Sequence, residues 1–260
     1  MTDKMTNYFE IYELIERGAI FYVSHSAGKD SQAMYQLITT HVPHDQIVLV
    51  HADLGDVEHH GVQDHIRATT WHELNVVAAA KTLFDMVERR FETRPDAPSW
   101  PSSATRQCTS DLKRDPIHKF IRQDLKARGL SLAVNCTGIR AEESTSRSKK
   151  TPFELNKRLS KAGREVYEWM PIFEWTTQEV FDCIYGAGQQ PHQVYLEGND
   201  RLSCVFCIMG SRGDFANGAR LRPELLRKYA ELEDRTGYTV FKNEGVYDRA
   251  GLIRLVEVTA

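Results

Sequence analysis

Residues 19–38 read Ala19-Ile20-Phe21-Tyr22-Val23, then Ser24-His25-Ser26-Ala27-Gly28-Lys29-Asp30-Ser31, then the apolar-periodic run Gln32 to Ile38. A β-prone apolar run feeds a loop of small residues and passes at once into a helical pattern. Small side chains let backbone N–H groups come close to an anion, and the start of a helix adds its partial positive charge. Lys29 and the hydroxyls of Ser24, Ser26 and Ser31 are further donors. The stretch is a phosphate cradle by composition. It is not the Walker A pattern, which sets four residues between its first glycine and Gly-Lys-Ser/Thr.

Working outward, strand and helix patterns alternate, which predicts an α/β fold with a mostly parallel, twisted sheet covered by helices on both faces. Residues 8–17 have helical spacing and end at Gly18. Gln46 to His51 is a continuous apolar strand closed by Ala52-Asp53-Leu54-Gly55-Asp56. That strand end is where open α/β sheets bind ligands, although an acidic turn reads the same way. A helix is expected over 58–74, a third strand over 75–79, a Pro- and Ser-rich loop over 93–105, and a helix from Arg106 through Lys126. Strands follow at 131–137 and 167–173, then a helix N-capped by Thr176 with Glu179 in the capping-box position. A loop is read at 189–198 and a charged helix at 223–235. The chain divides on this reading into 1–185, a nucleotide-binding α/β domain, and 186–260, a small extension carrying Cys204-Val205-Phe206-Cys207 and the charged helix.

Composition sets the outer limits. With 41% hydrophobic and 27% charged residues the 260-residue chain has the make-up of an ordinary soluble globular protein. A net charge of −3 excludes a globally basic nucleic-acid binder but not a local patch. Residues 146–164 are such a patch, with seven basic residues against one acid, net +6; it suits a polyanion or a solvated loop equally. No apolar run approaches the ~20 residues of a membrane span. The first eighteen residues are charged and amphipathic, unlike a signal peptide, so a cytoplasmic protein without membrane contact is expected. Five cysteines in a reducing compartment favour metal, cluster or redox use over structural disulfides.

Five motifs occur in order: SAGKDS, CTSDLKRDP, GIRAEES with Arg147 beyond, PIFEWTTQEV and HQVYLEGNDRLSCVFC. Together they resemble the phosphoadenylyl-sulfate (PAPS) reductase family of the PP-loop, or N-type, ATP pyrophosphatases, over about residues 19–210. The resemblance implies an adenine nucleotide alpha hydrolase-like fold, with ATP or phosphoadenylyl sulfate and Mg²⁺ as ligands. It places Ser24, Ser26, Ala27, Gly28, Lys29, Asp30 and Ser31 on the phosphates, with Asp53 near adenine and ribose. Gly138 would allow close approach, and Arg140 and Arg147 would face the phosphate end. Lys29, Asp30, Lys113 and Arg140 are the implied catalytic residues. Two departures are visible. Ala27 replaces a glycine, which predicts a negative φ there, and Leu54 replaces the threonine of the family's D-T-G. Glu142 and Glu143 suit Mg²⁺ through water or pairing with a neighbouring cation.

Cys108, Cys204 and Cys207 are the candidate metal ligands; three thiolates suit an iron–sulfur cluster, zinc with a fourth ligand, or a redox dithiol. Iron–sulfur adenylyl-sulfate reductases resemble Cys-Cys…C-x-x-C, whereas position 107 here is Gln. Sulfurtransferases of the superfamily often hold a [4Fe–4S] cluster with three cysteines, and RLSCVFC resembles the DNA-phosphorothioation members. Cys136 and Cys183 read as small buried hydrophobes. The family's reductases also use a nucleophilic cysteine near the C-terminus, and no cysteine follows Cys207 here.

The implied activity is ATP-dependent activation of an acceptor, giving AMP and pyrophosphate, coupled to sulfur transfer. A nucleic acid is a candidate acceptor and a further protein the sulfur or electron donor. The alternatives are phosphoadenylyl-sulfate or adenylyl-sulfate reduction with release of sulfite, and a non-catalytic nucleotide-binding subunit. Lys29→Ala and Asp30→Ala are both expected to abolish turnover and leave the fold intact.

Overall fold

The computed structural model describes residues 5–253. Six strands form one sheet in the order β3-β2-β1-β4-β6-β5: β1 (Ile20–Ser24), β2 (Ile47–Asp53), β3 (Leu74–Ala78), β4 (Leu132–Cys136), β5 (Phe153–Leu155) and β6 (Glu165–Trp169). β1 pairs in parallel with β2 and β4, β4 pairs in parallel with β6, and only β5 is shown antiparallel, against β6. The expected α/β class with a mostly parallel sheet holds.

The sheet is apolar on both sides because β1 and β2 are continuous apolar runs. Ile20, Tyr22, Val48, Val50, Ala133 and Val166 share one face and pack with Ile121 and Leu125 of the helix Asp115–Arg128. Phe21, Val23, Leu49 and Val134, which alternate with them, are also fully buried, so the second face is covered too. Tyr22, in the apolar face, keeps its hydroxyl satisfied by donating to Asp124 Oδ2 at 2.8 Å.

The chain packs as two units. One comprises the residues up to Ala52, Gly61–Val77 and Asp115–His192; the other comprises Asp53–His60, Ala78–Arg114 and the residues from Gln193 onward. The second unit has its own aromatic core. Tyr229 is stacked on Trp100 at 5.3 Å between ring centres and meets Phe84 and Phe206 edge-on at 5.1 and 5.2 Å. Its helices are Leu83–Thr93, Arg212–Leu221 and Pro223–Thr236, with short turns of helix elsewhere. Thr82 and Ser211 close capping boxes on the first two.

Several expected boundaries move. The helix expected over 58–74 is only Val62–Thr69, because Gly61 at φ 75° starts it late and Gly55–Val57 forms a separate 3₁₀ turn. The last parallel strand, read at 167–173, is Glu165–Trp169, starting two residues earlier and ending four residues earlier. Phe153–Leu155, inside the basic stretch, is an edge strand, held by pairing and by Phe153 stacked on Tyr167 at 5.0 Å. Arg212–Leu221 is a helix that its Gly213 and Gly218 hid. The Thr176-capped helix is found as expected, at Thr177–Gly186.

Glu233 is buried and accepts from the backbone N–H groups of Val240 and Val246 at 2.8 and 3.1 Å, tying the segment after its helix to the second unit. Glu233→Ala leaves those donors without their acceptor and is expected to cost about 2–3 kcal/mol, with Glu233→Gln costing less. Urea denaturation of the two variants checks both the sign and the order.

Candidate functional site

The loop after β1 is built by its own side chains. Gly28, with extended φ and ψ, caps the helix Lys29–His41 and offers no side-chain cap. Ser31 Oγ donates to Gly28 O at 2.9 Å and accepts from Ser26 N at 3.1 Å, so one hydroxyl closes the loop. Ser24 Oγ lies 3.5 Å from Asn135 Oδ1. Ala27 does not have the negative φ its identity predicts. It sits at +59°, in the left-handed region, with its methyl buried. The turn needs that conformation whichever residue fills it, and an alanine there costs about 1–2 kcal/mol.

His25, to which the sequence assigns no role, offsets that strain. Its Nδ1 accepts from Ala27 N at 3.1 Å, the backbone N–H of the strained residue. His51 Nδ1 in turn lies 2.9 Å from His25 O. Burial, then the nearby His65 and His51, lower the His25 pKa to about 3.

A buried arginine braces the loop from the other side. Arg140 is 2% exposed. Its Nε donates to Asp30 Oδ1 at 2.6 Å, Nη1 to Glu142 Oε2 at 2.6 Å and to Trp175 O at 3.0 Å, and Nη2 to Thr177 Oγ1 at 3.1 Å. Asp30 also pairs with Lys29 at 3.2 Å. The guanidinium is therefore committed to the protein in this structure and reaches the cradle through Asp30. Glu142 accepts additionally from Thr177 N at 2.7 Å, and Arg140 first, then Thr177, hold its carboxyl below the ordinary range. Glu143 pairs with Arg147 and accepts from Arg140 N at 3.2 Å. Both glutamates thus have arginine partners. Gly138 has a local reason to be glycine: a Cβ would come within 3.0 Å of the backbone of Asp30 and Ser31.

The second unit assembles the thiols. Cys204 forms a bridge with Glu58, and Val205 N donates to Val57 O at 2.9 Å. Cys207 Sγ accepts from Met209 N at 3.5 Å, and Gly210 N donates to Cys207 O at 2.7 Å. Cys108 lies in the turn Gln107–Thr109, followed by a π-helical turn, Ser110–Arg114, that carries Lys113. Burial, then Cys207, push the Cys108 thiol up. Burial pushes the Cys204 thiol up to about 12, with Lys113 working against it and Cys207, Cys108 and Glu58 with it. Burial opposes the Lys113 charge, but Cys204, Cys207, Glu58 and Cys108 outweigh it and raise its pKa. So the three thiols and Lys113 bear on one another electrostatically, and Cys108 and Cys204 pack against the same core cluster. Asp53, at the end of β2, accepts from Gly55 N at 2.7 Å, an Asx turn about Gly55 at φ 64°. Cys136 is fully buried, as expected, while Cys183 is only partly so.

Two residues of this second constellation had no sequence signal. Glu58 read as part of a helix. Tyr229 belongs to the apolar stripe Leu225, Leu226, Tyr229, Ala230 and Leu232, and reads as core. Its ring is core, but its hydroxyl has no hydrogen-bond partner among the described residues. Burial, then Cys204, Cys207 and Cys108, hold that hydroxyl well above its ordinary pKa. Among the described residues no three His, Cys, Asp or Glu side chains are grouped so as to hold a single metal ion. No helix among them is long and apolar enough to cross a membrane.

The fold is a mostly parallel α/β sheet whose first strand enters a glycine-capped helix through SAGKDS. A profile of the phosphoadenosine phosphosulfate reductase domain matches residues 20–209, and the chain belongs to that family. An uncharacterized 37.8 kDa protein of Escherichia phage 186 is 29% identical over 135 residues, 52% of this chain and 39% of the phage protein. An uncharacterized protein of Methanocaldococcus jannaschii is 24% identical over 217 residues, 83% of this chain and 48% of that protein. The chain thus spans less than half the length of these curated relatives. Among solved structures, phosphoadenylyl-sulfate (PAPS) reductase from Candida auris, a phosphate complex, is 13% identical with a TM-score of 0.47, covering 74% of this chain and 86% of that one. Candida glabrata FMN adenylyltransferase, with FAD and inorganic pyrophosphate, is 13% identical with a TM-score of 0.44, covering 73% and 55%.

Two outcomes follow from the loop. Asp30→Ala removes one of the two carboxylates that meet a buried guanidinium and is expected to destabilise the protein by about 1.5–3 kcal/mol, contrary to the intact fold the sequence alone predicts; thermal and urea unfolding check it. The second concerns pH. Above about pH 6.5 His25 is neutral folded and unfolded, and its contribution is fully present. As pH falls further the unfolded chain takes up a proton that the folded one refuses down to about 3, so stability is lost at about 1.4 kcal/mol per unit. His25→Asn is therefore expected to lose about 1.4 kcal/mol less than the parent between about pH 7.5 and 5.5 in urea titrations.

Proposed function

We propose that the chain is a PP-loop enzyme that uses ATP to activate an acceptor, releasing AMP and pyrophosphate, and delivers sulfur to it. The reading is supported by Cys108 and Cys204 packing against one core cluster of the second unit, in a chain whose first strand enters a glycine-capped helix through SAGKDS. A nucleotide-binding module alone has no use for thiols so placed.

In this reading Ser24, Ser26, Ala27, Gly28 and Ser31 and the first N–H groups of the helix Lys29–His41 hold the anionic tail of the nucleotide. The helix is long enough to add its partial positive charge. Lys29 neutralises charge that develops as pyrophosphate leaves, with Mg²⁺ from solution shared among the phosphates. Asp30 is held for its task by Arg140, which makes Arg140 a positioning residue. Arg147 and Gly138 complete the far wall, and Asp53 holds the turn beyond β2. On the thiol side, Cys108, Cys204 and Cys207 would carry the sulfur; an iron–sulfur cluster there is what the family resemblance implies, while the described residues form no group able to hold a metal ion. Lys113 would balance the negative charge of the thiols.

The basic stretch supports a polyanionic acceptor. Lys149, Lys150, Lys157 and Lys161 are exposed, whereas Arg147 and Arg158 are engaged with Glu143 and Asp115. Binding of a nucleic acid there would weaken steeply with salt. The second reading, reduction of phosphoadenylyl sulfate with release of sulfite, is favoured by the family profile itself.

Anaerobically purified protein given ATP and a nucleic acid is expected to release pyrophosphate, and no sulfite when given phosphoadenylyl sulfate and a thiol reductant. Sulfite without pyrophosphate would establish the second reading; neither product would leave a nucleotide-binding subunit. Lys29→Ala, which keeps the Asp30–Arg140 pair, is expected to lower pyrophosphate release about a hundredfold or more while retaining the parent's melting temperature.

A further inference from the structure

Asn135 is buried on β4, on the sheet face that Ile20, Tyr22 and Val166 make apolar. Register pairs it with Tyr22 of β1 on one side and Glu168 of β6 on the other, so Ser24, two residues beyond Tyr22, stands diagonally across from it. Chemistry fixes which way its amide points. Nδ2 donates to Glu168 Oε2 at 2.8 Å, and turned over, the amide would set its oxygen against that carboxylate. Oδ1 therefore faces the other way, 3.5 Å from Ser24 Oγ at the start of the loop. Glu168 accepts on both oxygens, from Asn135 on Oε2 and from Asn156 on Oε1, which the two unlike ends of a glutamine cannot do. Burial pushes the Glu168 carboxyl pKa up, with Asn156 and Asn135 working against it. Glu168 also stands directly opposite Glu154 of β5, and like charges so placed cost stability. The strand keeps a repulsion that glutamine would relieve, and what it gains is a fixed orientation of Asn135.

A serine hydroxyl has one proton and gives it to one acceptor at a time. In this structure the Ser24 proton is directed to Asn135 Oδ1. To reach a phosphate oxygen it has to leave, and the buried Asn135 then keeps an acceptor unmet, which opposes the exchange. We infer that Glu168 and Asn135 are positioning residues that hold the Ser24 hydroxyl back from the anionic tail of the nucleotide and so lower the loop's affinity for a pyrophosphate group, the product that has to depart. The inference rests on the loop being the seat of that tail. Glu168→Gln releases the hold in a determined way. Asn156 Oδ1 is committed to the backbone N–H groups of Arg158 and Leu159, both at 3.0 Å, so Asn156 keeps its orientation and the new amide turns its oxygen toward it. The new NH₂ then faces Asn135, whose amide turns over, donates to Ser24 Oγ and leaves the hydroxyl proton for the ligand.

The test is calorimetric titration of the full chain with inorganic pyrophosphate, and separately with ATP, at one pH and salt concentration. Parent, Glu168→Gln, Asn135→Ala and Ser24→Ala are compared with the two double variants that combine Ser24→Ala with each of the others. Glu168→Gln and Asn135→Ala are each expected to bind pyrophosphate severalfold more tightly than the parent, and to add nothing once Ser24 is replaced. Loss of a negative charge near an anion would also tighten binding, but that effect persists without the serine hydroxyl. An equal gain with and without Ser24 therefore overturns the inference, as does unchanged or weaker binding in the single variants. Should either single variant fail to fold, the other decides the comparison. A parent that binds neither pyrophosphate nor ATP overturns the nucleotide reading itself, whereas a parent that binds both, with no coupling to Ser24, overturns only the role of Glu168 and Asn135.

Discussion

One buried guanidinium holds the first unit's site in shape. Taking an arginine out of water is expensive, and the attraction of a single carboxylate rarely covers the cost. Arg140 is stable where it is because four hydrogen bonds meet it from three separate segments: Asp30 at the start of a helix, Glu142 just beyond itself, and Trp175 and Thr177 at the start of another helix. The same carboxylate of Glu142 that satisfies the guanidinium also receives the N–H of Thr177. The segments are therefore fixed relative to one another by a polar knot rather than by apolar contact alone. Gly138 lets the knot close, since any side chain there would push against the backbone of Asp30 and Ser31. Pre-organisation of this kind fixes the turn after β1 in one conformation.

The outline of the fold was legible because β1, β2 and β4 are apolar on both faces, and little else folds such runs except a covered parallel sheet. The strand-to-helix turn was legible from its small residues. What sequence could not give was the conformation inside it. Alanine argues for a negative φ, yet the turn imposes +59° and His25 Nδ1 steadies it. Tertiary bonding overrode a local preference, and no local pattern reports that. Edge strand β5 was hidden for a related reason: three residues among lysines have no period, and their pairing partner lies over ten residues ahead.

For the thiols, the fold packs Cys108 and Cys204 against one core cluster of the second unit, which no local pattern reports. Lysine in a C-x-x-x-x-K pattern reads as a phosphate ligand, whereas burial opposes the Lys113 charge and the charges of Cys204, Cys207, Glu58 and Cys108 favour it. Tyr229 is the sharper case. Its spacing on Pro223–Thr236 correctly marks the ring as core, and a hydrophobic pattern has no way to tell whether a buried tyrosine hydroxyl finds a partner.

The π-helical turn at Ser110–Arg114 has a consequence for how such chains are compared. Positions five apart on a regular α-helix point about 140° away from each other. The wider turn changes the direction in which Lys113 leaves the backbone relative to Cys108, because one more residue is accommodated per revolution. A relative shortened by a single residue within this stretch would keep both the cysteine and the lysine in its alignment and yet aim the ammonium group elsewhere. Length between the two, as much as their identity, is then the trait to inherit.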